Sequence, residues 1–205
     1  VTFPIFNSSG KTIGFGGSVT DDSLPKYLNS KDSKFFNKTR ELYGFNNAKK
    51  DHKTDDFIVT EGYMDVVMLS EYGINNAVAS LGTAFSQNHM SSMFKLRRKI
   101  TFCFDSDEAG LKAAWRALQI SLKNVVDDKT VRFLFLPEGY DPDSFVKENG
   151  EQEFYKKLDR AMVLESFAFQ YLKRGKKLDS PEDIRQIIFE FKKLLPLVTL
   201  SLIHI

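Results

Sequence analysis

From Phe57 onward the chain repeats one pattern: a short apolar run, an amphipathic stretch, then another apolar run. That order is the signature of βαβ units, because two parallel strands need a long crossover between them and the crossover is usually a helix. The apolar runs predict strands at 57–60, 76–79, 100–104 and 131–136, and the segments between them predict helices near 64–72, 86–96 and 109–122. After Pro142 the reading is helical throughout. There Ser180-Pro181-Glu182-Asp183 supplies an N-cap, a proline at the first helical position and acids in the first turn. The expected fold class is therefore α/β, built on a parallel sheet.

The first 50 residues read differently. Short β-like runs at 2–6 and 12–15 flank the turn-forming Asn7-Ser8-Ser9-Gly10, and Gly14, Gly16 and Gly17 punctuate the second run. A Lys-rich stretch follows, and its aromatics Tyr27, Phe35, Phe36, Tyr43 and Phe45 predict a mixed, irregular lobe packed against another surface. No internal repeat or low-complexity tract is present.

Composition narrows the classes. The 29 Lys and Arg nearly cancel the 27 Asp and Glu, so the net charge of +2 names no polyanionic partner and only the distribution of charge can. The single cysteine, Cys103, lies inside an apolar run; it excludes a disulfide framework or a thiol zinc site and reads as a buried strand residue. No run of about 18 apolar residues occurs and the N-terminus lacks the basic-then-apolar order of a signal peptide, so no membrane association and a cytoplasmic location are expected. Val1 already stands in a strand-like run, which reads as a fragment, and residues 200–205 read as a non-native tail.

The informative feature is where the acids fall. In open α/β sheets the active crevice lies beyond the carboxyl ends of the strands. The first predicted strand runs into Glu61-Gly62-Tyr63-Met64-Asp65, the third into Asp105-Ser106-Asp107, and the fourth, after a short loop, into Asp141-Pro142-Asp143. Alternate residues of an extended segment share a side, so Asp105 with Asp107 and Asp141 with Asp143 can each present a carboxylate pair. Two like charges about 4 Å apart repel by roughly 1 kcal/mol even in water, and several such pairs call for a cation. Hard oxygen donors point to Mg2+ or Mn2+ rather than zinc. The competing reading is that the acids cap helix N-termini.

These residues carry a resemblance. The acidic Glu61, the Gly82-Thr83 turn and the Asp105-x-Asp107 motif resemble the Toprim domain of topoisomerases and primases. Glu61-Gly62-Tyr63-Met64-Asp65-Val66, Ala79-Ser80-Leu81-Gly82-Thr83 and Asp141-Pro142-Asp143 are more similar to bacterial DnaG-type primases. Upstream, Ile13-Gly14-Phe15-Gly16-Gly17 and Pro25-Lys26-Tyr27-Leu28-Asn29-Ser30 extend the likeness to the primases alone. Ser18 departs from it, standing where the family commonly has Arg.

The resemblance implies template-directed synthesis of short RNA on single-stranded DNA from ribonucleoside triphosphates. Glu61, Asp105 and Asp107 would be catalytic, and these with Asp65, Asp141 and Asp143 would hold Mg2+ or Mn2+. Lys26, Tyr27, Asn29, Ser30, Lys38 and Arg40 would bind nucleic acid or nucleotide, whereas Arg97, Arg98 and Lys99 read as surface charge. The implied division is a mixed lobe at 1–55, a Toprim-like sheet at 56–145 and a helical subdomain at 146–199. Zinc would belong to a flanking domain outside this chain, and a replicative helicase would dock on an absent C-terminal domain, placing the protein at the replication fork on the nucleoid. Two rivals are a Toprim nuclease or topoisomerase fragment, which for strand passage needs a nucleophilic tyrosine in another domain, and a non-catalytic Toprim DNA-binding protein, of a kind often lacking part of the acidic set.

Overall fold

The structure is a computed structural model that describes residues 1–18, 27–125 and 128–198, with only the backbone at 18 and 27. Lys26 and the tail at 200–205 lie outside the described residues. The first hairpin forms because Asn7 organises its own turn: Asn7 Oδ1 accepts from the Ser9 and Lys11 N–H groups at 3.0 and 2.9 Å, and Gly10 takes φ 82°. Strands β1 (Thr2–Phe6) and β2 (Thr12–Ser18) pair antiparallel, and β3 (Tyr27–Asn29) adds to β2. The lobe read as irregular thus holds a three-stranded sheet, whose third strand is too short to leave a periodic trace. A single turn of helix, α1 (Phe45–Ala48), leads out of it.

β4 (Asp56–Thr60) is buried along its whole length, as a strand covered on both faces must be. Helix α2 (Tyr63–Glu71), β5 (Ala77–Ala79), α3 (Gln87–Phe94), β6 (Lys99–Phe104), α4 (Glu108–Leu122) and β7 (Thr130–Phe135) then alternate as the apolar pattern predicts. β5, β4, β6 and β7 lie side by side in parallel. The region after Pro142 is not helical throughout. Between α5 (Pro142–Asn149), α6 (Glu151–Asp159) and α7 (Leu164–Leu172) the chain forms β8 (Met162–Val163), which pairs antiparallel with Phe133 and Arg132 of β7 and makes a fifth, mixed edge strand. α8 (Pro181–Leu194) follows, with Ser180 Oγ accepting from the Asp183 N–H as the cap signal required, and runs into a turn of 3-10 helix at Leu195–Leu197.

Alternation along each strand feeds two cores. Phe57, Val59, Phe102 and Phe133 pack under α3, α4 and α7, whereas Ile58, Cys103 and Leu134 pack under α2, α5 and α6. A third cluster of Ile5, Phe36, Tyr63 and Leu81 joins the lobe to the larger sheet. That junction also has polar pins. Tyr43 and Ala79 exchange backbone hydrogen bonds at 2.8 and 3.1 Å, and Tyr63 Oη donates to the Gly17 carbonyl at 2.7 Å.

Arg97 corrects the surface reading of the basic cluster before β6. It is only 6% exposed. Its guanidinium lies 4.7 Å from the Phe57 ring centroid and donates to the carbonyls of Thr54 (2.7 Å), Asp56 (2.9 Å), Ala48 (2.7 Å) and Asp51. A planar five-donor group can satisfy a loop of converging carbonyls as an ammonium cannot. Arg97 therefore fixes the path of 48–56, the segment that delivers the chain into β4. Arg98 is exposed, 3.9 Å from Asp128, and Lys99 is half-buried, 3.5 Å from Asp56.

Candidate active site

The carboxyl ends of β4 and β6 meet through a carboxylate: Glu61 Oε1 accepts from the Asp105 N–H at 3.2 Å. Burial, followed by the charges of Asp105 and Asp107, pushes the Glu61 carboxyl up from its ordinary value. Asp105 is likewise raised by burial, then by Asp141 and Asp107. Asp65 is raised furthest, to about 7, by burial and by the charges of Asp141, Asp105 and Glu61. Five of the six predicted acids thus feel one another at one edge of the sheet. Asp143 does not contribute to these shifts; it sits in the first turn of α5 with Oδ1 buried and without a hydrogen-bond partner.

The helix-capping reading and the cluster reading prove to be one arrangement. Asp107 caps α4, its Oδ1 accepting from the Gly110 N–H at 2.7 Å. Asp141 caps α5 through the Ser144 N–H at 2.8 Å and the Ser144 hydroxyl at 2.6 Å. Asp65 Oδ2 accepts from the Gly62 N–H at 3.0 Å at the start of α2. Each of these carboxylates is oriented by a helix N-terminus through one oxygen, and the helix dipole there favours its charge.

Gly110 is a residue that sequence reasoning passed over. A Cβ at this position would lie 2.2 Å from the Asp105 carbonyl oxygen, so only glycine lets α4 start against the end of β6 and bring Asp107 beside Asp105. Its place three residues after Asp107, within the same motif, was the available signal. Asp105, Ser106, Asp107, Glu138, Gly139, Tyr140 and Asp141 together line an open cleft.

Among the described residues no group of three Asp, Glu, His or Cys side chains is gathered tightly enough to enclose a metal ion. The donor set is nevertheless all oxygen, anionic and mutually repelling. Mg2+ is held by one or two carboxylates together with waters and substrate phosphates, so the residues fit that ion and not a closed protein cage.

The basic and polar residues divide. Lys38 and Arg40 lie in a turn held on α3: His89 Nε2 is 3.1 Å from the Lys38 carbonyl oxygen, Thr83 Oγ1 donates to the same carbonyl at 3.4 Å, and Ser86 Oγ donates to the Thr39 carbonyl at 2.6 Å. His89 Nδ1 accepts from the Ser86 N–H at 3.2 Å, so Nε2 carries the proton, and burial lowers the imidazole to about 4. Asn29 reaches across the junction, its side chain lying against Gly16 and against Gly82, which has φ 69°. The Ser30 hydroxyl is spent on the main chain, accepting from the Phe15 N–H at 2.9 Å. Tyr27 is described only as the first residue of β3.

A mixed sheet with acids at the ends of its parallel strands, entered through an antiparallel lobe, defines a Toprim-like domain, and residues 58–146 match the family of that description. Residues 1–49 match the family described as DNA primase catalytic core, N-terminal domain. A DNA primase from Pseudomonas aeruginosa is 52% identical over 174 residues, 84% of this chain and 26% of that protein. A crystal structure of a DNA primase domain from Pseudomonas aeruginosa superposes with a TM-score of 0.92 at 46% identity, covering 97% of this chain and 62% of that one. A DnaG primase catalytic domain bound to single-stranded DNA does so with a TM-score of 0.89 at 41% identity, covering 97% and 64%. The chain belongs to the bacterial DnaG-type DNA primases. It spans about a quarter to a third of the length of the curated relatives it matches.

Proposed function

We propose that this chain carries the RNA-synthesising centre of a DNA primase and joins ribonucleotides on a single-stranded DNA template. The observation that carries this reading is the set of mutually repelling carboxylates Glu61, Asp65, Asp105, Asp107 and Asp141 at one sheet edge. A non-catalytic Toprim DNA-binding protein has no need of such a costly cluster, and a strand-passing topoisomerase needs a nucleophilic tyrosine from a further domain.

Glu61, Asp105, Asp107, Asp141 and Asp143 would hold Mg2+ or Mn2+, with Asp65 supporting them. When bound, such an ion neutralises charge on the attacking and leaving oxygens of phosphoryl transfer. The protein's part is positional. Capping hydrogen bonds hold Asp107 and Asp141 by one oxygen each, and Glu61 ties the ends of two strands so that the edge cannot splay. Asp65, raised to about 7, is partly protonated near neutral pH and so carries less than a full charge beside its neighbours. Lys38 and Arg40, with Lys26, Tyr27, Asn29 and Ser30, would carry template or incoming nucleotide. We keep the division into a lobe at 1–55, a Toprim domain at 56–145 and a helical subdomain at 146–199. Zinc-dependent start-site choice and helicase docking are assigned to other parts of the parent protein, which would work at the replication fork in the cytoplasm.

The test is primer synthesis on single-stranded DNA with labelled ribonucleotides. Mg2+-dependent RNA is expected, and no product under any divalent cation would overturn the reading.

A further inference from the structure

The segment leaving α7, Lys173-Arg174-Gly175-Lys176-Lys177, places four cations in five residues. Among the described residues one carboxylate side chain pairs with them: Arg174 Nη2 lies 3.0 Å from Glu108 Oε2. Lys173 Nζ stands 5.5 Å from the Phe169 ring centroid and Arg174 Cζ stands 5.8 Å from that of Tyr171. Lys176 Nζ donates to the Leu172 carbonyl at 2.7 Å. The Lys177 N–H is held by Asp183 at 2.9 Å, and among the described residues its side chain makes no ion pair. A helix C-terminus favours a cation or two. Four, all of them past Leu172, the last helical residue of α7, exceed that need.

The contact between Arg174 and Glu108 sets where these cations stand. Glu108 opens α4 immediately after Asp107, which lines the acidic cleft. α7 packs on β7 and β8, whereas the lobe bearing Lys38 and Arg40 joins the sheet at its other side, through Tyr43 and Ala79 of β5. The order β5-β4-β6-β7-β8 therefore places the acids at the ends of β4, β6 and β7 between two basic groups. The second group is backed by a rigid wall, because Trp115 and Tyr171 stack at 4.2 Å and Phe169 remains 44% exposed beside Lys173.

Carboxylates repel every phosphate except those at the reacting end, where a bound ion would stand between them, so the rest of a polymer threaded past this edge needs cations on both sides of it. We propose that Lys173, Arg174 and Lys177 form a second phosphate-contacting surface that holds the backbone of the RNA–DNA hybrid as it leaves the acidic edge. This rests on the reading that the edge builds RNA on a DNA template. Lysines are point charges that hold a backbone without reading bases, which suits a product whose sequence varies, and the entering single strand already has the basic lobe.

The experiment measures binding of the full chain, without synthesis, to a short RNA–DNA hybrid and to single-stranded DNA across a salt series. Each phosphate contact contributes about 0.9 to the slope of log affinity against log salt. Lys173→Gln/Lys177→Gln should lower the hybrid slope by about 2 and leave the single-strand slope in place. Lys177→Gln alone, at an exposed side chain, should lower it by about 1. An unchanged hybrid slope in both variants would overturn the proposal, as would an equal fall for single-stranded DNA, which would mean that the template itself lies there. Because no nucleotide is joined in this assay, its outcome is independent of whether the chain proves active in primer synthesis.

Discussion

The imidazole of His89, on α3, holds the main chain of Lys38, in the lobe: Nε2 to carbonyl oxygen is 3.1 Å. The turn that bears Lys38 and Arg40 is thereby anchored to the same sheet that carries the acids, and the ring must be neutral because Nδ1 accepts the Ser86 N–H. The folded ring titrates at about 4 against an ordinary value of 6.5, so between those values the unfolded chain binds the extra proton. Stability contributed by His89 is complete above pH 6.5 and is lost as pH falls toward 4, by at most about 1.4 kcal/mol per pH unit. His89→Gln, which keeps a donor for Lys38, should flatten urea-derived stability between pH 4 and 6.5. A parallel loss in both proteins would show that another group governs the acid limb.

Asp65 behaves in the opposite sense. Its carboxyl is raised from 3.8 to about 7 in the folded state, so between those values the folded chain holds the extra proton and stability falls as pH rises. Asp65→Asn keeps an acceptor for the Gly62 N–H and removes the charge. It should raise the melting temperature at pH 8 by several degrees and leave it nearly unchanged at pH 4. Equal melting curves at pH 8 would argue against the strain assigned to this carboxylate.

The two acids of the Asp105-x-Asp107 motif should part company on substitution. Both Asp105→Ala and Asp107→Ala are expected to abolish nucleotide incorporation. Asp105→Ala relieves a half-buried, repelled carboxyl and should hold or gain stability. Asp107→Ala removes the cap of α4 and should lose about 1 kcal/mol. Calorimetry beside the synthesis assay separates the two. Wild-type incorporation by folded Asp107→Ala would sink its assignment as a metal ligand.

Gly110→Ala should be among the most damaging single changes on the molecule. The added methyl would lie 2.2 Å from the Asp105 carbonyl oxygen, a backbone atom that cannot swing aside. Displacing the start of α4 should cost roughly 1–3 kcal/mol or more and move Asp107 away from Asp105. Denaturant unfolding and the incorporation rate should both fall, and a silent substitution would mean that α4 can slide freely.

Lys38→Ala should flatten the salt dependence of single-stranded DNA affinity by about 1 unit if its ammonium touches one phosphate. Its carbonyl contacts to His89 and Thr83 are backbone bonds and survive the substitution. A change in folding would therefore point away from a binding role. Binding isotherms at several salt concentrations, with circular dichroism as the control, decide between them.

Much of this was legible because parallel strands covered on both faces must be written as apolar runs. β4, β6 and β7 fall within a residue of the runs at 57–60, 100–104 and 131–136. The acids could be placed because the carboxyl ends of such strands follow from the pattern. What stayed hidden depended on distant partners. β8 is two residues long and exists only because β7 offers it a ladder. Arg97 looks like any surface cation until the carbonyls of 48–56 are folded around it. Capping and clustering looked like rival roles for Asp65, Asp107 and Asp141 because a string of letters does not show that one oxygen of a carboxylate can serve a helix while the whole group feels its neighbours.

The bridge between Tyr43 and Ala79 has a consequence for the protein's life before it is folded. A bare strand edge is a template on which any passing chain can add itself. β5 would offer such an edge, and the main chain of Tyr43 occupies part of it, while β8 shields the other side with two residues. If the lobe opened, β5 would be uncovered, so a nascent or heat-loosened chain would be most prone to clumping at the seam by which it later grips its own halves together.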